Sequence, residues 1–169
     1  MIHKMAKFNF VSKEQFLDDT QNDYGLLAIE YYNNLKKPKR ATKLSAGYDF
    51  YSPFDFVLNP GETIKIPTGI RVKIDEGWVL KIYPRSGLGF KFRLQLDNSV
   101  GIIDADYYNA NNEGHIFIKI TNDSNMDKIV NIKQGEAFAQ GVFTIHGITI
   151  DDYDDIKIER IGGIGSTSI

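Results

Sequence analysis

The sequence predicts an all-β fold, a jelly-roll-like sandwich or barrel, and three observations carry that reading. Apolar residues alternate with a period of two at Phe54, Phe56 and Leu58, at Ile70, Val72 and Ile74, and at Ile116, Ile118 and Ile120, the pattern of half-buried strands. Turn formers separate such runs at Asn59-Pro60-Gly61, Asp75-Glu76-Gly77, Asn122-Asp123-Ser124 and Lys133-Gln134-Gly135. The 169 residues contain no internal repeat and no second domain, yet suffice to bury a core.

Residues 1–35 differ from the rest of the chain and read as an extension that packs on the body or lies at a subunit contact. Phe8, Phe10 and Val11 suggest a short strand, and Ser12-Lys13-Glu14-Gln15 is a capping-box signature opening a short helix through Phe16 and Leu17. Asn22-Asp23-Tyr24-Gly25 looks like a turn, and Leu26 to Tyr32 suits either a strand or a helical turn. The basic run Lys36-Lys37-Pro38-Lys39-Arg40 reads as a solvated linker rather than a nucleic-acid arm. From Leu44 onward the β pattern takes over, with a further strand over Trp78–Tyr83 and another at Val142-Phe143.

Composition narrows the function. Twenty Lys and Arg against 22 Asp and Glu give no electrostatic case for nucleic acid or membrane as a bulk partner. The absence of cysteine removes disulfides, Cys-based zinc sites and the zinc-type nucleobase deaminases. His3, His115 and His146 lack metal-ligand spacing and read as structural. Met1 to Phe10 lacks a signal-peptide core, and no apolar run approaches ~20 residues, so the expectation is a soluble cytoplasmic protein, in the host cytoplasm if the source is viral.

The most informative stretch is Leu96-Asp97-Asn98-Ser99-Val100-Gly101-Ile102-Ile103-Asp104-Ala105-Asp106-Tyr107-Tyr108. It reads as two apolar strands folding back through the turn formers around Asp104 to Asp106, with Gly101 letting something approach the backbone closely. A slot beside such a hairpin suits a flat polar ring. Backbone N–H and C=O groups imitate a pairing partner, Asn98 offers an amide, Tyr107 offers a stacking face, and Asp104 is placed to activate water. The same residues also suit an ordinary hairpin with Asp104 and Asp106 in the turn.

The C-terminal stretch Arg160-Ile161-Gly162-Gly163-Ile164-Gly165-Ser166-Thr167-Ser168 has the composition of a disordered tail. It also has the means to wrap an anion: successive backbone N–H groups, hydroxyls and a guanidinium.

Three further stretches join these two: Ser45-Ala46-Gly47-Tyr48-Asp49-Phe50, Pro84-Arg85-Ser86-Gly87-Leu88 and Gly135-Glu136-Ala137-Phe138-Ala139-Gln140. In order and approximate spacing, the five resemble the motifs of the trimeric dUTPase family, from about residue 38 to the C-terminus. The resemblance implies a β jelly roll and a homotrimer with three active sites between subunits. It divides the chain into an extension over 1–35, a β domain over 36–158 and a flexible phosphate-closing tail over 159–169.

The family's roles fall on matching positions. Asn98, with the backbone of Gly101 and Ile103, would read uracil; Tyr107 would stack on the deoxyribose and leave no room for a 2′-hydroxyl. Asp104 would hold the 3′-hydroxyl and the attacking water. Arg85, Ser86, Gly87 and Gln140 would bind phosphates from a neighbouring subunit, and Asp49 would support them, holding an arginine or the hydrated metal. Arg160, Gly165, Ser166 and Thr167 would close over the γ-phosphate. The implied metal is Mg²⁺ chelated by the triphosphate and water rather than caged by protein.

The sequence departs from the family pattern at a few positions. Ala137 stands where arginine is common, and Ile164 replaces an aromatic that stacks over uracil, a contact worth roughly 1–3 kcal/mol. Asn109 replaces a glycine after the hairpin, where its tolerance of left-handed backbone would preserve the turn, and Ser168 replaces the last glycine of the tail. These departures, with residues 1–35, motivate an alternative: a nucleotide-sensing regulatory protein that engages a protein partner. A dCTP deaminase is a further alternative, but it needs a glutamate base beside the pyrimidine, and Glu113 is the only nearby candidate.

Overall fold

In the computed structural model, which describes residues 3–152 and Gly162, the alternating apolar runs become strands whose inward residues meet in one core. β1 (Ala6–Phe10) precedes two helices, α1 (Lys13–Tyr24) and α2 (Leu27–Asn33), then β2 (Lys39–Arg40), β3 (Tyr48–Tyr51), β4 (Phe56–Leu58), β5 (Thr63–Pro67), β6 (Ile70–Ile74) and β7 (Trp78–Pro84). A third helix, α3 (Ser86–Phe92), leads into β8 (Leu94–Leu96) and β9 (Gly101–Ile103). A 3₁₀ turn (Ala105–Asn109), β10 (Phe117–Asn122), β11 (Val130–Ile132) and β12 (Ala137–Ile145) complete the order.

Pairing is antiparallel throughout these strands, in a five-stranded sheet of order β2-β3-β12-β7-β9, a three-stranded sheet β5-β10-β8, and the pairs β1-β6 and β4-β11. The layered all-β architecture therefore holds, with the helices as additions. Ile66, Leu80, Ile82, Ile118, Ile120 and Phe138 form the centre of the core, each with at most 2% exposure. The middle strand, β12, approaches so closely that a Cβ on Gly141 would lie 2.8 Å from Leu80 Cδ1 and 3.0 Å from Phe50 Cε2. Among the described residues no helix is long and apolar enough to cross a membrane.

Several local expectations are revised. The expected Leu96–Tyr108 hairpin is absent: β8 pairs with β10, whereas β9 pairs with β7, so the chain changes sheets between Asp97 and Val100. The reversal sits there, with Ser99 in the left-handed region at φ 63°, while Asp104 leads into the 3₁₀ turn. The Asn22–Gly25 turn begins later than expected, because α1 continues to Tyr24 and ends on Gly25 at φ 54°. Lys39 and Arg40 are not free linker; they pair with Asp49 and Tyr48, and Pro38 is buried beside them. The ambiguous stretch from Leu26 to Tyr32 is helical, as α2.

The N-terminal residues are joined to the rest by a full ladder. Ala6 to Phe10 pair in register with Ile74 to Ile70, and Val11, Phe16 and Ala28 are buried at 1% exposure or less.

Candidate active site

Two groups of the expected residues assemble in different parts of the chain. In the first, Arg85 follows β7 in extended conformation and occupies the N-cap position of α3, which makes the exposed Ser86 and Gly87 its first residues. Arg85 Nε stands 3.2 Å from Asp49 Oδ1 in an ion pair, and its Nη1 donates to the Ala137 carbonyl at 3.4 Å. Gln140 lies opposite Asp49 in one direction and Tyr83 in the other, and its Nε2 donates to the Pro84 carbonyl at 3.1 Å. Asp49, Arg85 and Gln140 thus converge because β3, β12 and β7 are neighbours. The largely buried Asp49 carboxylate fixes the guanidinium, whose side chain remains 41% exposed. A fixed guanidinium, an amide and a nearby hydroxyl form a set suited to an oxyanion.

The second group lies along and after β9. Asn98 is exposed in the β8–β9 turn, where the Ser99 N–H donates to the Leu96 carbonyl and the Val100 N–H to that of Asn98. β9 lies at the edge of its sheet, so among the described residues no strand flanks its outer side. Unpaired backbone along an edge is a template for another hydrogen-bonding partner. The space at Gly101 differs from the expected slot: a Cβ there would lie 3.0 Å from Ile82 Cβ, so the close neighbour is the adjoining strand. Asp104 ends this run in extended backbone and stands at the N-cap position of the 3₁₀ turn. Three residues on, Tyr107 is 7% exposed; its hydroxyl donates to the His115 carbonyl at 2.7 Å and accepts from Asn112 Nδ2 at 2.9 Å.

Within one chain these groups stand apart. Ile103, next to Asp104, pairs with Leu80, and Arg85 lies five residues further along, about 16 Å at ~3.3 Å per residue. Arg160, Gly165, Ser166 and Thr167, and the variant positions Ile164 and Ser168, lie outside the described residues. Asn109 is not among the positive-φ residues; Glu113 (φ 55°) and Gly114 (φ 70°) carry the left-handed backbone of that loop, so Asn109 needs no special conformation.

Sequence reasoning missed a polar cluster behind Tyr107. The fully buried His115 ring accepts the Gly69 N–H on Nε2 at 2.9 Å, which leaves Nδ1 protonated and donating to Asp19 Oδ2 at 2.6 Å. Burial pushes the imidazole below its ordinary value, although the Asp19 carboxylate acts in the opposite sense. Protonation would also set an Nε2–H against the Gly69 N–H, which reinforces the downward direction. Beside it, Glu113 accepts from the Ser12 backbone N–H at 2.8 Å and from Ser12 Oγ at 2.7 Å, and Arg71 Nη1 stands 3.6 Å away. The Ser12 N–H above all holds the Glu113 carboxyl below its ordinary value. A glutamate so engaged is poorly placed to serve as a deaminase base. The sequence signals for this cluster were His115, read as structural, and Ser12, whose Oγ caps α1 by accepting the Gln15 N–H.

Among the described residues no group of three or more His, Cys, Asp or Glu side chains converges on a cation position. A divalent cation carried by a polyphosphate, with water as its other ligands, needs no such cage.

The sequence model of the dUTPase family matches residues 33–168. A deoxyuridine 5′-triphosphate nucleotidohydrolase of Lactococcus lactis is 42% identical over 146 residues, covering 85% of this chain and 96% of that protein. One of Tolumonas auensis is 39% identical over 154 residues, covering 87% and 97%. Among solved structures, dUTPase from Streptococcus mutans superposes with a TM-score of 0.62 at 35% identity, covering 84% of this chain and 97% of that one.

Proposed function

The chain belongs to the dUTPase family, the dUTP diphosphatases, and we propose that it hydrolyses dUTP to dUMP and pyrophosphate by in-line attack of an Asp104-activated water on the α-phosphorus. What carries this reading is an edge strand, β9, that runs directly into Asp104 and then into the buried Tyr107. Uracil pairs with the β9 backbone at Gly101 and Ile103 and with the Asn98 amide. Tyr107 supports the deoxyribose, and Asp104 takes the proton of the attacking water.

Arg85, Ser86, Gly87 and Gln140 bind the phosphates, with Asp49 orienting the Arg85 guanidinium. Negative charge moves onto the leaving pyrophosphate, and a guanidinium already fixed by Asp49 stabilises it without reorganising during the reaction. The about 16 Å between Ile103 and Arg85 along β7, with Asp104 one residue beyond, favours sites completed by a neighbouring subunit, as in a homotrimer. Arg160, Gly165, Ser166 and Thr167 close over the γ-phosphate in this reading. Mg²⁺ held by the triphosphate and water would neutralise phosphate charge.

Two variants test this together. Asp104→Asn is expected to lose about 10²–10⁴ in kcat while retaining nucleotide affinity. Mixing it with Arg85→Ala, through unfolding and refolding in equal amounts, is expected to restore activity at about one quarter of the sites, since random association sets an intact Asp104 opposite an intact Arg85 that often. No restoration would refute the shared site; full activity of Asp104→Asn would refute the base. A non-catalytic regulatory protein would show binding without turnover in the wild type.

A further inference from the structure

We propose that helix α1 is the positioning element for the sugar platform of the active site, holding Tyr107 through Asp19 and His115 and through Ser12 and Glu113. The proposal rests on the reading of Tyr107 as the surface that meets the deoxyribose. None of these four residues is expected to touch substrate.

The connection can be followed atom by atom. The Tyr107 hydroxyl donates to the His115 carbonyl at 2.7 Å and accepts from Asn112, whose backbone carbonyl receives the His115 N–H at 3.0 Å. The position of the His115 backbone therefore sets where the Tyr107 ring stands. That backbone is fixed by its own side chain, which is fully buried between Phe16 and Phe117 at ring separations of 5.6 and 4.3 Å. Both ring nitrogens are committed, one to the Gly69 N–H of the body and the other to Asp19 of α1. Two residues earlier, Glu113 is gripped by the N-cap residue of the same helix, its carboxylate accepting both the N–H and the hydroxyl of Ser12.

Between the two grips, Gly114 passes so close to the tyrosine that a Cβ there would lie 2.5 Å from the Tyr107 carbonyl oxygen and 2.9 Å from Tyr108 Cα. Only a glycine fits so close an approach, which couples the backbone of residues 113–115 to that of Tyr107 and Tyr108. Arg71 closes the other side, stacked over the Tyr108 ring at 3.7 Å while its Nη2 donates to the Tyr108 carbonyl.

The helix that supplies Ser12 and Asp19 lies before residue 33, where the match to the family begins. It lies outside the segment that the family model matches, and its shortest polar contacts with that segment are made to the loop behind Tyr107. A helix needed only for burial would require no such concentration, since Phe16 already buries its apolar face.

A merely structural role would change melting temperature and leave selectivity alone, whereas a positioning role changes the preference for deoxyribose over ribose. The test measures kcat/KM for dUTP and UTP, with thermal melting, on full-length wild type, Asp19→Ala, Asp19→Asn, Ser12→Ala and Tyr107→Ala. Asp19→Ala and Ser12→Ala are expected to reduce the dUTP-over-UTP ratio by about tenfold, the scale on which sub-ångström misplacement acts. Asp19→Asn, which keeps an oxygen acceptor for His115 Nδ1–H, is expected to restore the ratio to within about twofold of wild type. If Asp19→Ala does not fold, Ser12→Ala and Asp19→Asn decide the matter. Folded Asp19→Ala or Ser12→Ala with an unchanged ratio, while Tyr107→Ala loses it, overturns the proposal alone. An unchanged ratio in Tyr107→Ala overturns the reading of Tyr107 and the proposal with it.

Discussion

Gly47→Ala should lower activity while leaving stability nearly unchanged, because the gain from a stiffer unfolded chain and the loss of one folded-state hydrogen bond are of similar size. A Cβ built on Gly47 lies 2.5 Å from Gln140 Oε1, so the carboxamide must withdraw by about 0.5 Å to clear 3.0 Å. The obstacle is the end of a flexible side chain, and Gly47 lies outside the left-handed region, so the backbone accepts alanine without strain. Reduced freedom of the unfolded chain then stabilises the variant by roughly 0.4–1 kcal/mol. The displaced carboxamide, however, leaves its 3.1 Å bond to the Pro84 carbonyl, which is worth about 0.5–1.5 kcal/mol. If Gln140 helps to place the phosphates, that loss appears as a roughly two- to tenfold fall in kcat/KM, at ~1.4 kcal/mol per decade. Pyrophosphate release measured beside thermal melting reads both quantities on one sample. A melting temperature close to that of the wild type with unchanged kcat/KM would remove Gln140 from the phosphate site.

Other outcomes rest on the same geometry. Burial depresses the folded pKa of His115 below its ordinary 6.5, so between the two values the unfolded chain binds more protons and stability falls as pH drops below about 6.5. Asp19 on α1 and Glu113 on the same loop oppose that depression, and Lys65 on β5 adds to it. Melting curves from about pH 7.5 to pH 5 should therefore steepen below 6.5 in the wild type and flatten in His115→Asn; identical profiles would contradict the assignment. Gly141→Ala forces a methyl against Leu80 and Phe50 and should lower the melting temperature by about 2–12 °C, the equivalent of ~1–3 kcal/mol of overpacking. Asp49→Ala releases the partly exposed Arg85 guanidinium and should lower kcat for dUTP by about tenfold with a smaller change in KM, as judged by steady-state kinetics.

Periodicity identified elements better than it identified partners. Ile70, Val72 and Ile74 alternate because β6 buries one face, and that signal is local enough to read directly. The same logic misled at Leu96–Tyr108, where two apolar segments joined by turn formers resemble a hairpin. Whether β9 pairs with β8 or with β7 is decided by contacts some twenty residues back in the chain, which alternation does not encode. Ser12 illustrates a similar limit. Its role as N-cap is written in the residues just after it, but its grip on Glu113 joins positions 101 apart and leaves no mark in local sequence. His115 was legible as structural; its bond to Asp19, across 96 positions, was not. The Asp49–Arg85 pair could be expected only through family resemblance, since β3 and β7 meet on opposite sides of β12.

The most direct test of the central claim is pyrophosphate release from dUTP in the presence of Mg²⁺, run beside dCTP, dTTP and UTP. Turnover confined to dUTP is the predicted result, for it requires the uracil edge at β9, the sugar platform at Tyr107 and the phosphate cluster at Arg85 to act together. Tight binding of dUTP with no pyrophosphate released, or ammonia released from dCTP, would contradict it.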